Sequence, residues 1–162
     1  MARRQILSLS ERESLLALPD DELTLTRMAY FSEQDLAFIN AHRKPASRFG
    51  FAVLLCYLKN IGFAPDKKSS PPAELLRVIG NRLKLSAELW QEYISGRDTT
   101  RREHLGELYR YLELKAFNGA LQKECIQHLL PLSTRTDRGI LIAEELLKRL
   151  HQQRIIIPGI DV

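Results

Sequence analysis

The chain has 162 residues, 44% of them apolar and 27% charged, with a net charge of +4. That composition can bury a core and excludes a disordered chain, and the length allows one domain or two very small ones. The two cysteines, Cys56 and Cys125, form no Cys-x-x-Cys pair, and Met1-Ala2-Arg3-Arg4 leads into no apolar run of secretory length. A disulfide framework, structural zinc and a secretory signal are therefore not expected, and a reducing bacterial cytoplasm is the expected setting.

Helical signals follow one another from end to end. Ser10 and Glu13 have capping-box spacing before Leu15-Leu16, and Pro19 stops that helix. Asp20 is placed to cap a second helix reaching Phe31, and Ser32 with Asp35 a third that carries Leu36, Phe38 and Ile39. After the His42–Ala46 loop, a helix apolar on every side runs from Phe49 to Leu58, interrupted only by Gly50. Such a helix wants burial all round, and its ten residues fall short of the ~20 that span a bilayer. Gly62 is its expected carboxyl stop.

Residues 64–73, rich in Pro, Lys and Ser, read as a linker, with Ser70-Pro71 suited to begin the next helix, which carries Leu75, Leu76, Ile79 and Leu83. Ser86 opens a short helix with Trp90 and Tyr93 inward. Leu105, Leu108, Tyr109 and Leu112 then fall at i, i+3, i+4 and i+7 of an amphipathic helix. A further helix is expected over 120–130, a loop through Pro131-Leu132-Ser133, and a last helix over 137–151. Ile155-Ile156-Ile157 reads as an extended connector, and no stretch alternates like a strand. The fold class expected is all-α.

Residues 32–63 can be laid on residues 86–117 without a gap, at an offset of 54. Ser32 falls on Ser86, Arg43 on Arg97, Arg48 on Arg102, Leu54 on Leu108, Tyr57 on Tyr111, Leu58 on Leu112 and Phe63 on Phe117. The physical reading is two packed three-helix, helix-turn-helix-like units, flanked by amino- and carboxyl-terminal helices. The divisions are 1–63, a linker at 64–73, 74–130, and a carboxyl-terminal helix and connector at 131–162. Chance likeness between two amphipathic stretches is the competing reading.

Charge is distributed unevenly. Residues 41–111 hold thirteen Lys/Arg against seven Asp/Glu, an excess of +6, whereas residues 1–40 sum to −3 and residues 112–162 to +1. A local basic excess is the footprint of a polyanion binder, although solvated helix faces give the same count. Arg43, Lys44, Ser47 and Arg48 crowd the start of the central helix; Arg97, Thr99, Thr100, Arg101 and Arg102 crowd the start of its counterpart. Cations in a first helical turn oppose the helix dipole, and a bound phosphate reverses that sign. Asp98 and Glu103 offer a local alternative by neutralising those arginines. Lys67 and Lys68, with Arg135 and Arg138 of a third basic loop, complete the candidate DNA-binding set.

No catalytic constellation emerges. Asp20-Asp21-Glu22 reads as helix capping. His42, His104, His128 and His151 are scattered, and Cys125 with His128 makes two metal ligands without a third. No Gly-rich phosphate loop is present, and no catalytic or metal-ligating residue is assigned.

The stretch Arg48-Phe49-Gly50-Phe51-Ala52-Val53-Leu54-Leu55-Cys56-Tyr57-Leu58-Lys59-Asn60-Ile61-Gly62 resembles the amino-terminal domain of the Tn-three family of bacterial replicative transposases. Leu7-Ser8-Leu9-Ser10-Glu11-Arg12-Glu13, Thr100-Arg101-Arg102-Glu103-His104-Leu105 and Arg154-Ile155-Ile156-Ile157-Pro158-Gly159-Ile160 are similar to that family in the same order. The family often has more basic residues where this chain has Asn40-Ala41-His42-Arg43-Lys44.

The resemblance implies a fragment that recognises terminal inverted repeats in double-stranded DNA. It also implies a separate domain, outside this chain, with three acidic residues and Mg²⁺ that cuts and joins strands. The fragment itself is then not an enzyme and holds no cofactor. No membrane partner is expected, and self-association of the full-length protein stays open. The alternatives are a helical interaction module of a larger complex and the helical core-binding domain of another recombinase class.

Overall fold

A computed structural model describes residues 7–68 and 70–157. The expected features at Met1–Arg4, Ser69 and Pro158–Ile160 lie outside the described residues. The fold is all-α. The helices are α1 (Leu9–Leu16), α2 (Glu22–Met28), α3 (Glu33–Asn40), α4 (Pro45–Asn60), α5 (Ala73–Leu83), α6 (Leu89–Ile94), α7 (Asp98–Tyr111), α8 (Gly119–Ser133) and α9 (Gly139–Gln152). None is long and apolar enough to cross a membrane.

The chain divides into two compact units, one of residues 18–112 and one of residues 1–17 with 113–162. In the first, α4 is the hub. It packs against α3, α5, α6 and α7, while α2 packs against α5. Every residue from Phe49 to Leu58 is buried, and Phe51 through Cys56 have no exposed surface at all. Each fully buried large side chain contributes roughly 1.5–3 kcal/mol. Helices as short as α2, α3 and α6 would be marginal alone, so packing on α4 and α5 sustains them. Gly62, at φ 84, terminates α4, and its N–H donates to the Tyr57 carbonyl at 3.1 Å.

A buried carboxylate fastens three of these helices. Asp35 of α3 accepts from Lys59 Nζ of α4 at 2.6 Å and from the Tyr111 hydroxyl of α7 at 2.6 Å. It also accepts from the Ser32 N–H at 2.9 Å, completing the capping box of α3. Burial pushes its pKa up, but these hydrogen bonds outweigh burial and hold it below the usual carboxylate range. The stretch 64–73 runs within this first unit, and Pro65 and Pro71 are buried.

In the second unit α8 and α9 form an αα-hairpin. Cys125, Leu150 and Ile155 make its small core, with Phe117, Leu121, Leu146 and Ile157 packed around them. His128 meets Glu145 through Nε2 at 3.2 Å, and Arg149 lies 3.2 Å from its Nδ1. A parallel bridge pairs Lys115 with Ile155: the Lys115 N–H donates to the Arg154 carbonyl, and the Ile156 N–H to the Lys115 carbonyl, each at 2.8 Å.

Several local expectations need correction. The cap of α1 is Ser8 with Glu11, two residues earlier than the Ser10–Glu13 pair, because both pairs have the required spacing. Asp21, not Asp20, caps α2. Helix α8 continues through Pro131 to Ser133 where a loop was expected. Pro131 lies in the last turn and is exposed, so water can satisfy the carbonyl that its missing N–H leaves free. The Ser133 and Thr134 hydroxyls donate to the Leu130 and Pro131 carbonyls, both at 2.8 Å, which closes the helix end.

Candidate nucleic-acid interface

Four of the described helices carry a side-chain cap: Ser8, Asp21, Ser32 and Asn118 each accept a backbone N–H, whereas α5 and α6 start without one at Pro72 and Glu88. Helices α4, α7 and α9 begin differently. Their cap positions are Lys44, Arg97 and Arg138, and none makes a side-chain capping bond. The free N–H groups of a first turn and the positive end of the dipole attract anions. Cationic residues at the same points add to that potential instead of quenching it.

Two of these starts meet. A cleft of about 380 Å³ is lined by Lys44, Ala46 and Ser47 from the start of α4, and by Arg97 and Thr100 from the start of α7. Glu92 and Tyr93 of α6, with Gly96 just beyond it, line the same cleft. Lys44 and Arg97 are exposed and make no ion pair with a described residue. The Ser47 and Thr100 hydroxyls supply neutral donors beside them.

The remaining cations and hydroxyls near these helix starts divide by partner. Arg48 turns back on the loop before its own helix: Nε donates to the His42 carbonyl at 2.8 Å and an Nη to the Arg43 carbonyl at 3.0 Å. Arg101 reaches the Pro65 carbonyl at 2.5 Å. Lys67 is ion-paired with Asp98, which lowers the carboxyl pKa of Asp98. Those two contacts hold residues 65–67 against the first turn of α7. Arg43, Lys68, Thr99 and Arg102 are exposed and lie outside the cleft lining. Arg135 and Arg138 belong to the second unit, where they flank the start of α9 and are exposed.

What sets the spacing of the two helix starts is a buried polar junction that the sequence reading did not single out. The Tyr93 hydroxyl hydrogen-bonds His104 Nδ1 of α7 at 2.9 Å, with the rings parallel to within 6°. The Tyr93 ring lies flat on α4 at Gly50, where an added Cβ would fall 2.2 Å from its Cγ. Tyr93 thus touches both helices directly below the cleft. The His42 ring lies 4.4 Å from both the Phe51 and His104 rings, and its Nε2 is 3.5 Å from Glu107. Burial, with a smaller contribution from His42, depresses the His104 pKa to about 4, so the ring is neutral at pH 7. One signal for this junction was visible: Gly50 is the single residue without an apolar side chain in the buried run, the mark of a close approach.

Among the described residues, no group of three or more His, Cys, Asp or Glu could hold a metal ion. Both cysteines are free and buried; Cys56 donates to the Met28 carbonyl at 3.2 Å.

Comparison with known proteins gives the context of this geometry. The model of a family described as a domain of unknown function, DUF4158, matches residues 6–162. The transposase for transposon Tn2501 of Escherichia coli is 56% identical over 162 residues, covering 100% of this chain and 16% of that protein. The transposase for transposon Tn21 of Escherichia coli is 41% identical over 161 residues, 99% of this chain and 16% of that protein. The transposase for transposon Tn501 of Pseudomonas aeruginosa is 38% identical over 162 residues, 100% of this chain and again 16% of that protein. The chain therefore spans 16% of the length of these relatives, at their amino-terminal end.

Proposed function

The chain belongs to the DUF4158 domain family and has a transposase-related role, and from that premise we propose that it binds the terminal inverted repeats of a transposon as double-stranded DNA. The observation that carries this reading is the convergence of two uncapped, cation-bearing helix starts on one cleft. In this reading a backbone phosphate sits at the cleft, held by Lys44, Arg97 and the Ser47 and Thr100 hydroxyls. Arg43, Arg102 and Lys68 grip neighbouring phosphates. Such contacts set the register of the protein on the duplex, and base-edge contacts nearby give sequence preference.

The helix orders α2-α3-α4 and α5-α6-α7 are the two helix-turn-helix-like units of this proposal. Their support is positional: α3 ends at Asn40 and α6 at Ile94, 54 residues on, matching the offset of the sequence repeat. Arg48 and Arg101 serve here as loop anchors that shape the two starts. Strand cutting and joining, with its Mg²⁺, is assigned to other parts of the longer protein. Arg135 and Arg138 form a second basic start for a further phosphate.

Titration of labelled inverted-repeat duplex against a scrambled duplex, at two salt concentrations, tests the reading. Tighter binding to the repeat, weakening as salt rises, is expected. Equal binding to both duplexes, or none, overturns it. The absence of binding would favour a protein-interaction module, for which the exposed Ile126 and Leu130, one turn apart on α8, are the supporting feature.

A further inference from the structure

One residue of the cleft does not suit a phosphate. Glu92 is exposed and lines the cleft together with Lys44 and Arg97, yet it forms no ion pair or hydrogen bond with a described residue. A carboxylate beside a phosphate site repels the ligand, and one that served only to neutralise the cations would pair with them. The positive end of a helix accounts for an acidic residue in the first turn of α6, but not for one in a basic cleft.

Position makes the residue useful. Glu92 precedes Tyr93, whose ring is clamped between Gly50 of α4 and His104 of α7, so its backbone is fixed by a rigid neighbour. A carboxylate carried on that fixed backbone beside Lys44 and Arg97 is placed to accept hydrogen bonds, and it can donate none. The donors that the major groove of a duplex offers are the exocyclic amines of cytosine and adenine, of which the cytosine amine is the usual partner of Glu.

We propose that Glu92 is a specificity-determining residue that accepts a hydrogen bond from an exocyclic base amine, cytosine in the first instance, at one position of the DNA site. It trades non-specific affinity for discrimination: the carboxylate weakens every complex that lacks an amine at that position. This rests on the DNA-binding reading of the same cleft and sharpens it.

The test uses the whole chain, wild type and the Glu92→Ala and Glu92→Gln variants, in selection from a duplex library with randomised positions, followed by titration of the selected duplexes. Because the Glu92 side chain makes no contact that the fold uses, both variants should retain wild-type helicity and melting. Wild type should prefer one amine-bearing base, cytosine or adenine, at one position by roughly 5- to 150-fold. Glu92→Ala should lose that preference, keep the others, and bind scrambled duplex several-fold more tightly. An identical preference profile in wild type and Glu92→Ala overturns the assignment to Glu92 while leaving DNA binding standing. Failure of the wild type to bind any duplex overturns the DNA-binding reading and this inference with it.

Discussion

His104 is an ionisable side chain built into a hydrophobic junction, and the fold keeps it neutral. Its pKa falls from 6.5 to about 4 because burial disfavours the cation and the neighbouring His42 adds to that penalty. Between those two values the unfolded chain binds a proton that the folded chain does not. Stability from this group is therefore complete above about pH 6.5 and declines as pH drops toward 4, by up to ~1.4 kcal/mol per pH unit. Urea denaturation at pH 7 and pH 5 should show this loss. The double variant Tyr93→Phe/His104→Phe removes the titration without orphaning a buried hydroxyl, and it should flatten the profile. A profile as steep as that of wild type would show that His104 is not the group responsible. Residue identity was legible in the sequence at this scale, but partnership was not. Arg48 and Arg101 have the composition of phosphate ligands, and no spacing rule distinguishes an arginine that meets a phosphate from one that meets the His42 or Pro65 carbonyl. Gly50 carried a warning of close approach, but nothing in the sequence named Tyr93 as the ring that uses the space.

At the scale of the element, the helix starts separate structure from function. Ser32 and Asp35 close a capping box, and that pair was readable because its chemistry is local. The starts of α4 and α7 lack any such bond, and their cation-bearing cap positions cost stability that a capping residue would recover. Placing a carboxylate or hydroxyl there gives the first-turn N–H groups an acceptor, worth ~0.5–2 kcal/mol. Lys44→Asp and Arg97→Ser should thus raise the melting temperature. The same changes remove cleft cations, and in the proposed function both should weaken inverted-repeat binding. Thermal melts and duplex titrations on the same preparations check the two effects together. Variants that gain stability and keep full DNA affinity would remove α4 and α7 from the interface. This opposition is what a site retained for function at the expense of the fold should show. The interior of α4 was the most legible element, because an all-apolar run has no exposed face to offer. The passage of α8 through Pro131 was the least legible, because proline in a last exposed turn breaks a rule whose cost is paid by solvent.

Over the whole molecule, the +6 excess of residues 41–111 overstates the charge available to a ligand. Lys59 is bound to Asp35, Lys67 to Asp98, and Arg77 to Glu22 and Glu74, while Arg48 and Arg101 hold backbone carbonyls. The sequence supplied the sum, and the fold divides it into paired and available cations. Near the two helix starts, Arg43, Lys44, Arg97 and Arg102 are exposed and make no ion pair with a described residue. If each holds one phosphate, they contribute a log–log salt slope of about −3.6, at ~0.9 per contact on duplex DNA. Replacing all four with Ala should remove that contribution and leave a residual slope. Lys68 remains in the first unit and the second offers Arg135 and Arg138 at the start of α9, so a residual of about −2.7 rather than about −0.9 would place that start on the duplex as well. Adding Lys68→Ala, Arg135→Ala and Arg138→Ala should then bring the slope close to zero. A slope unchanged by the first four substitutions would mean that the duplex is held elsewhere, and the cleft between α4 and α7 would lose its role.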